Sequence, residues 1–144
     1  MNQSTITKAA EIVKQNAIQG GEFNGQICVL SLIDEVGYPT ASVITPSKAD
    51  GIYQLMLCTM RSGNMAKRAA NCNRASVCFS STEYCINLVG DIEVITDADV
   101  KRDVWYDGLS YHFTGADDPD YCVLRFTTKR YKLFVSDEDV AGVV

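Results

Sequence analysis

From Gly25 to Val135 the chain is a succession of short apolar and β-branched runs divided by turn signals, and this rhythm restricts the fold more than any other feature. Residues 26–33 form one such run, closed by the hairpin-turn sequence Asp34-Glu35-Val36-Gly37, and residues 40–45 return as a second strand. Residues 46–51 are expected to make another turn, with a third strand over 52–58. The pattern then breaks. Arg61-Ser62-Gly63-Asn64 is turn-like, and residues 65–71 are basic and suited to a short helix. Strand character resumes over 74–81 and 84–96, the second run being long enough to bend around a barrel. Asp97 and Asp99 open a helix expected to run to about Tyr106, where their carboxylates complement its dipole. A polar loop with Gly115 and Pro119 follows, and runs at 121–127 and 131–135 complete the strand count.

Ahead of the strands, residues 5–19 read as one helix. Ile6, Ala9, Ala10, Val13 and Ala17 share a face, Thr5 is a plausible N-cap, and Gly20-Gly21 ends the helix. Six or seven strands joined by tight turns, with helices only at the margins, predict a mainly β fold, an antiparallel barrel closed or nearly so over about residues 25–135. A doubly wound parallel sheet would need helices alternating regularly with strands, and they do not. No repeat or linker divides residues 1–144, so a single domain is expected.

The net charge of −5 gives no overall field to attract nucleic acid or an anionic membrane. No apolar run approaches the roughly 20 residues of a membrane span. The first residues, MNQSTITKAAEIVKQ, lack the features of a secretory signal, so a cytoplasmic location is expected. The six cysteines (Cys28, Cys58, Cys72, Cys78, Cys85, Cys122) form no CxxC pair, and several sit in apolar runs, as reduced thiols packed like small hydrophobes do.

A single histidine, His112, excludes a histidine-rich metal site within one chain. No GxSxG elbow, P-loop or GxGxxG fingerprint is present. The acidic run Asp117-Asp118-Pro119-Asp120 lacks calcium-loop spacing and reads as a solvated loop. The informative stretch is residues 57–68, where a strand ends at Thr59, turns through small residues and enters a basic helix. Amides at the start of such a helix have no intrahelical partner. With the hydroxyls of Thr59 and Ser62 and the charges of Arg61, Lys67 and Arg68, they could cradle a phosphate. A capped surface helix with a solvated basic face is the alternative.

The order of elements resembles the pyridoxamine 5'-phosphate oxidase-like split-barrel proteins, in particular their short general-stress-protein branch. The resemblance rests on the Gly37-Tyr38-Pro39 hairpin and following strand, the segment from Thr59 to Arg68, and Asn71-Cys72-Asn73-Arg74-Ala75-Ser76-Val77, which is similar to an "NPRAS" motif. It continues through Gly90-Asp91-Ile92-Glu93-Val94, similar to a "GxxEV" pattern, and through Trp105, Tyr111-His112-Phe113 and the segment 117–124. It covers about residues 8–135.

The resemblance implies a homodimer of split β-barrels with flavin mononucleotide (FMN) held at the subunit interface, and an oxidoreductase acting on a small molecule or a non-catalytic flavin-binding stress protein. By position, Ser42, Val43 and Ile44 would line the flavin, Cys58 and Thr59 would meet its ring and ribityl region, and Ser62, Gly63, Asn64 and Met65 would hold the phosphate end. Trp105 and His112 would approach from the helix and loop, with core or interface packing as the alternative for Trp105 and a surface role for His112. Tyr106 and Tyr111 would flank the ring or pack at the interface. The chain departs from the family where Ser42 replaces an arginine and Gly63-Asn64-Met65 replaces a Ser-Arg-Lys grip. Either Arg61 or Lys67 compensates, or the phosphate grip is degraded and the barrel accepts FMN weakly, or haem, a deazaflavin or nothing. Vitamin B6 oxidation is not expected, since the basic C-terminal segment of the authentic oxidases has no counterpart before Val144.

Overall fold

A computed structural model describes residues 2–144. Helix α1 (Asn2–Gln15) is followed by strands β1 (Cys28–Ile33), β2 (Pro39–Ile44), β3 (Pro46–Asp50) and β4 (Gln54–Met60). Then come helix α2 (Asn64–Asn71), β5 (Arg74–Ser80), β6 (Tyr84–Ile95), helix α3 (Ala98–Asp103), a 3₁₀ turn (Asp107–Tyr111), β7 (Tyr121–Val135) and β8 (Glu138–Val143). All the ladders are antiparallel, in the order β2-β1-β5-β6-β7-β4-β3, with β8 added to β7. β2 and β3 are the two ends of this path, yet only Thr45 separates them in sequence. The chain itself crosses the seam, and the sheet curls into the expected split barrel.

Alternation fills the barrel. Cys28, Leu30 and Leu32 of β1, Leu55 and Leu57 of β4, Val77 and Phe79 of β5, and Ile86, Leu88 and Ile92 of β6 point inward and are buried. Leu124, Phe126 and Leu133 of β7 join them, while Ala9 and Val13 of α1 and Ala69 of α2 pack against the same core. Each large side chain so buried contributes roughly 1.5–3 kcal/mol. A second apolar cluster lies on the other face of β4 and β7, where Val104, Leu109, Phe113, Tyr121 and Val123 gather with Trp105 and Tyr106.

Several boundaries differ from the sequence expectation. Helix α1 stops at Gln15, four residues early, because Asn16 turns its side-chain amide back to the Ile12 carbonyl at 2.9 Å and Ile18 donates to Pro46 O at 2.9 Å. Thr5 is a buried helical residue, not a cap, and its hydroxyl donates to Glu138 Oε2 of β8 at 2.8 Å. The segment expected as a turn over 46–51 is strand β3, and the reversal is confined to Gly51–Tyr53. The segments expected as two strands at 121–127 and 131–135 are one strand, and β8 carries the sheet beyond residue 135.

β7 bends where its register with β6 shifts between Val89 and Gly90. A Cβ on Gly90 would strike the Thr127 carbonyl oxygen and lie 3.0 Å from Lys129 N. Only glycine lets the strands approach so closely. At this bend Thr128 donates its amide to Tyr53 O at 2.9 Å and its hydroxyl to Ile52 O at 2.6 Å. Below it β7 pairs with β4; above it, with β8.

Candidate functional site

The junction of β4 and α2 is as the sequence predicts, a strand ending in a tight turn that becomes a helix. Gly63 is the N-cap and has no side chain to cap with; its amide bonds to Met60 O at 3.0 Å, and its carbonyl accepts the first helical bond, from Lys67 N at 3.2 Å. Among the described residues no acceptor meets the amides of Asn64, Met65 and Ala66, the orphan donors of a helix start.

The donors one step earlier are engaged. The carboxylate of Asp120 accepts the Ser62 amide at 2.9 Å on Oδ1 and the Ser62 hydroxyl at 3.0 Å on Oδ2. The Asp120 carbonyl accepts the Arg61 amide at 2.6 Å. Ser62 thus already holds an anion, and the anion belongs to the protein.

Asp120 sits on a braced support. Asp118 accepts the amides of Thr114 and Asp120 at 2.9 Å each and the Thr114 hydroxyl at 3.2 Å. These bonds, the Thr114 amide foremost, hold the Asp118 carboxyl below its usual range. Lys101, buried and lying over the Tyr121 ring, donates from Nζ to the Asp118 carbonyl at 3.0 Å, and Arg102 pairs with Asp117 at 3.3 Å. The acidic run is a solvent-facing loop, as the sequence suggested, and it is braced internally by these hydrogen bonds. Among the described residues no group of three or more His, Cys, Asp or Glu side chains could hold a metal ion.

Of the three cations near the turn, Arg61 and Lys67 are exposed. Arg68 is turned away toward the β1–β2 hairpin, donating from Nη1 to Thr40 Oγ1 at 3.3 Å and lying 3.5 Å from Glu35 Oε1. On β2, Ser42 and Ile44 are half-buried on one face and Val43 is exposed on the other. Strand alternation therefore prevents the three side chains from lining one ligand together.

Beside the turn, Ile44, Thr45, Cys58, Thr59 and Met60 form one wall of a cleft of about 240 Å³, faced by Tyr106, Leu109, His112 and Phe113. It shares Tyr106, Leu109 and His112 with a larger cleft of about 800 Å³ whose far wall is Gly20, Gly21, Glu22 and Phe23. The larger cleft by itself falls in the size range of small-molecule sites. Thr45, Leu109 and the 20–23 segment carry no chemical signal in the sequence; they meet only because the seam and the 3₁₀ turn fold beside one another.

Two groups of the smaller cleft are held neutral. The Cys58 thiol lies 3.5 Å from Tyr121 Oη and 3.9 Å from Val104 O, and burial pushes it up and keeps it protonated. Burial also raises the Tyr106 phenol. Trp105 does not line the cleft. It packs edge-on to Tyr121 at 5.4 Å, beneath the cleft in the second apolar cluster. His112 is exposed at the lip, and Tyr111 projects into solvent at 89% exposure.

No protein-family model matches the chain, and no curated protein matches it in sequence. Solved structures do match in fold. A Clostridium acetobutylicum protein described as related to general stress protein 26 of Bacillus subtilis, of the pyridoxinephosphate oxidase family, superposes at TM-score 0.83 with 24% identity, over 100% of this chain and 97% of that one. General stress protein 26 from Bacillus anthracis matches at TM-score 0.72 and 16% identity, over 96% of each chain. A haem-binding protein from Mycobacterium smegmatis matches at TM-score 0.71 and 16% identity, over 96% of this chain and 57% of that one. The likeness read from the sequence is thus met at the level of architecture: this chain has the split-barrel fold of the pyridoxamine 5'-phosphate oxidase-like general stress proteins.

Proposed function

We propose that the chain is a flavin-binding split-barrel protein, working as a homodimer, that holds an isoalloxazine of the FMN type in the cleft between Thr59 and His112. The observation that carries this reading is the cleft itself. The β4 edge, the seam residues Ile44 and Thr45 and the 3₁₀ turn make a largely apolar slot open on one side, next to the strand-to-helix turn. Main-chain groups of β2 and β4 and the hydroxyl of Thr59 would orient the ring. The phosphate end fits less well: Ser62 is occupied by Asp120, and Ser42, Gly63, Asn64 and Met65 bring no cation.

A bound isoalloxazine supplies electron or hydride transfer by itself. The protein would orient it and shield one face, with the Cys58 thiol and the Tyr106 phenol both held protonated beside it. An oxidoreductase whose substrate stacks on the open ring face suits this arrangement, as does a non-catalytic flavin carrier. Turnover of a reduced nicotinamide with an added acceptor separates the two.

The outer face of the β1–β2 hairpin supports the homodimer. Val29 and Val43 are paired directly across the ladder; Val43 is 61% exposed and Ile27 46% exposed. Apolar side chains grouped in this way on a sheet face suit a partner surface.

One observation favours a second reading. His112, the only histidine of the chain, lines both clefts, where its imidazole would supply a nitrogen ligand to the iron of a bound haem. Titration of the protein with isoalloxazines and with haemin tests both. Saturable quenching of flavin fluorescence is expected. A Soret shift that is lost in His112→Ala, with no flavin quenching, would replace the flavin reading by the haem one.

A further inference from the structure

We infer that Asp120 stands in for a ligand phosphate, so that this site selects an isoalloxazine with an uncharged side chain, such as riboflavin, over its phosphorylated form. The inference rests on the flavin reading above and names the ligand class for that site. The two oxygens of Asp120 take the amide and the hydroxyl of Ser62, at 2.9 and 3.0 Å. Both are among the donors that this turn would offer a phosphate.

The backbone of Asp120 is pinned beside the turn: its amide is fixed on Asp118 at 2.9 Å, its carbonyl on the Arg61 amide, and the next residue, Tyr121, is paired with Met60 in the sheet. The carboxylate is thereby kept within reach of the helix start, with Ser62 as its partner. A dianion brought to the adjacent amides of Asn64, Met65 and Ala66 would meet a like charge within the same turn, at a distance where screening by salt is incomplete. Compensation is lacking. Arg68 faces Thr40 and Glu35, and Arg61 and Lys67 are solvated cations on flexible stems, which interact weakly at an exposed surface. A neutral ribityl chain avoids the repulsion and keeps every contact to the ring.

The test is a fluorescence-quenching titration of the full chain with riboflavin and with FMN, at low and at high salt. Riboflavin is expected to bind about tenfold tighter or better at low salt, a difference of about 1.4 kcal/mol. Raising the salt is expected to narrow the gap by improving FMN binding. Asp120→Asn keeps an acceptor for the Ser62 amide and removes only the charge, so it is expected to strengthen FMN binding about tenfold while changing riboflavin less than about twofold. Should Asp120→Asn not fold, the salt series on the unaltered chain decides. FMN binding as tightly as riboflavin, with affinity falling as salt rises, would overturn the inference and leave the flavin reading standing. Quenching of neither ligand would overturn both.

Discussion

Side chains of one type meet very different fates here. Cys28 is buried in the barrel core, and its thiol is pushed up to about 12, first by burial and then by the neighbouring Cys78. Cys122 is buried too, and burial raises it to about 11. Cys85 is exposed. Because the thiolate is the reactive form, a group at about 12 carries on the order of a thousandfold less of it at pH 8 than an ordinary cysteine. Timed alkylation read by mass spectrometry should therefore label Cys85 early and Cys28 and Cys122 last, with the latter two accelerating as pH climbs toward 11. Early labelling of Cys28 in the native protein would mean that the barrel opens far more readily than its packing implies. The sequence placed Cys28 in an apolar run, and burial follows from that. The identity of its thiol neighbour depends on the β1–β5 register and could not be read there.

At the scale of elements, the bend of β7 is decisive, since it lets one strand serve β4 below and β8 above. Gly90→Ala should cost about 1–3 kcal/mol or more, because the added methyl meets backbone that cannot yield. Urea unfolding should show a lower midpoint with an unchanged slope. Gly115→Ala, where nothing lies within 4 Å of the added carbon, should leave the midpoint nearly unmoved. Equal effects from the two substitutions would remove the close approach as the reason for Gly90. The strands that the sequence missed share a cause. β3 contains Lys48 and Asp50 between Pro46 and Gly51, punctuation that reads as a turn, and an edge strand tolerates a proline at its first position. β8 is rich in acidic residues and ends on Gly142-Val143. Thr128, Lys129 and Arg130 interrupt the apolar pattern of β7 at the place where it bends.

For the whole molecule the exposed apolar face of β1 and β2 carries the next expectation. Val43→Arg should convert a dimer to a monomer at micromolar concentration, as measured by size-exclusion with light scattering. Val143→Arg on β8, also exposed, should not. A clean monomer of the unaltered chain would remove the partner from the proposed site. Among the described residues no helix is long and apolar enough to cross a membrane.

Local patterning by itself determined that this chain is an antiparallel barrel with marginal helices, and that a small-residue turn joins β4 to a basic helix. Periodicity and turn chemistry act over a few residues and are written in order along the chain. Only the tertiary structure decided what fills that turn. Ser62 and Asp120 are 58 positions apart and meet because β4 and β7 pair, which brings the residues just past Met60 beside those just before Tyr121. Other long-range contacts turned Arg68 toward the hairpin, sank Trp105 beneath the cleft and set His112 at its mouth.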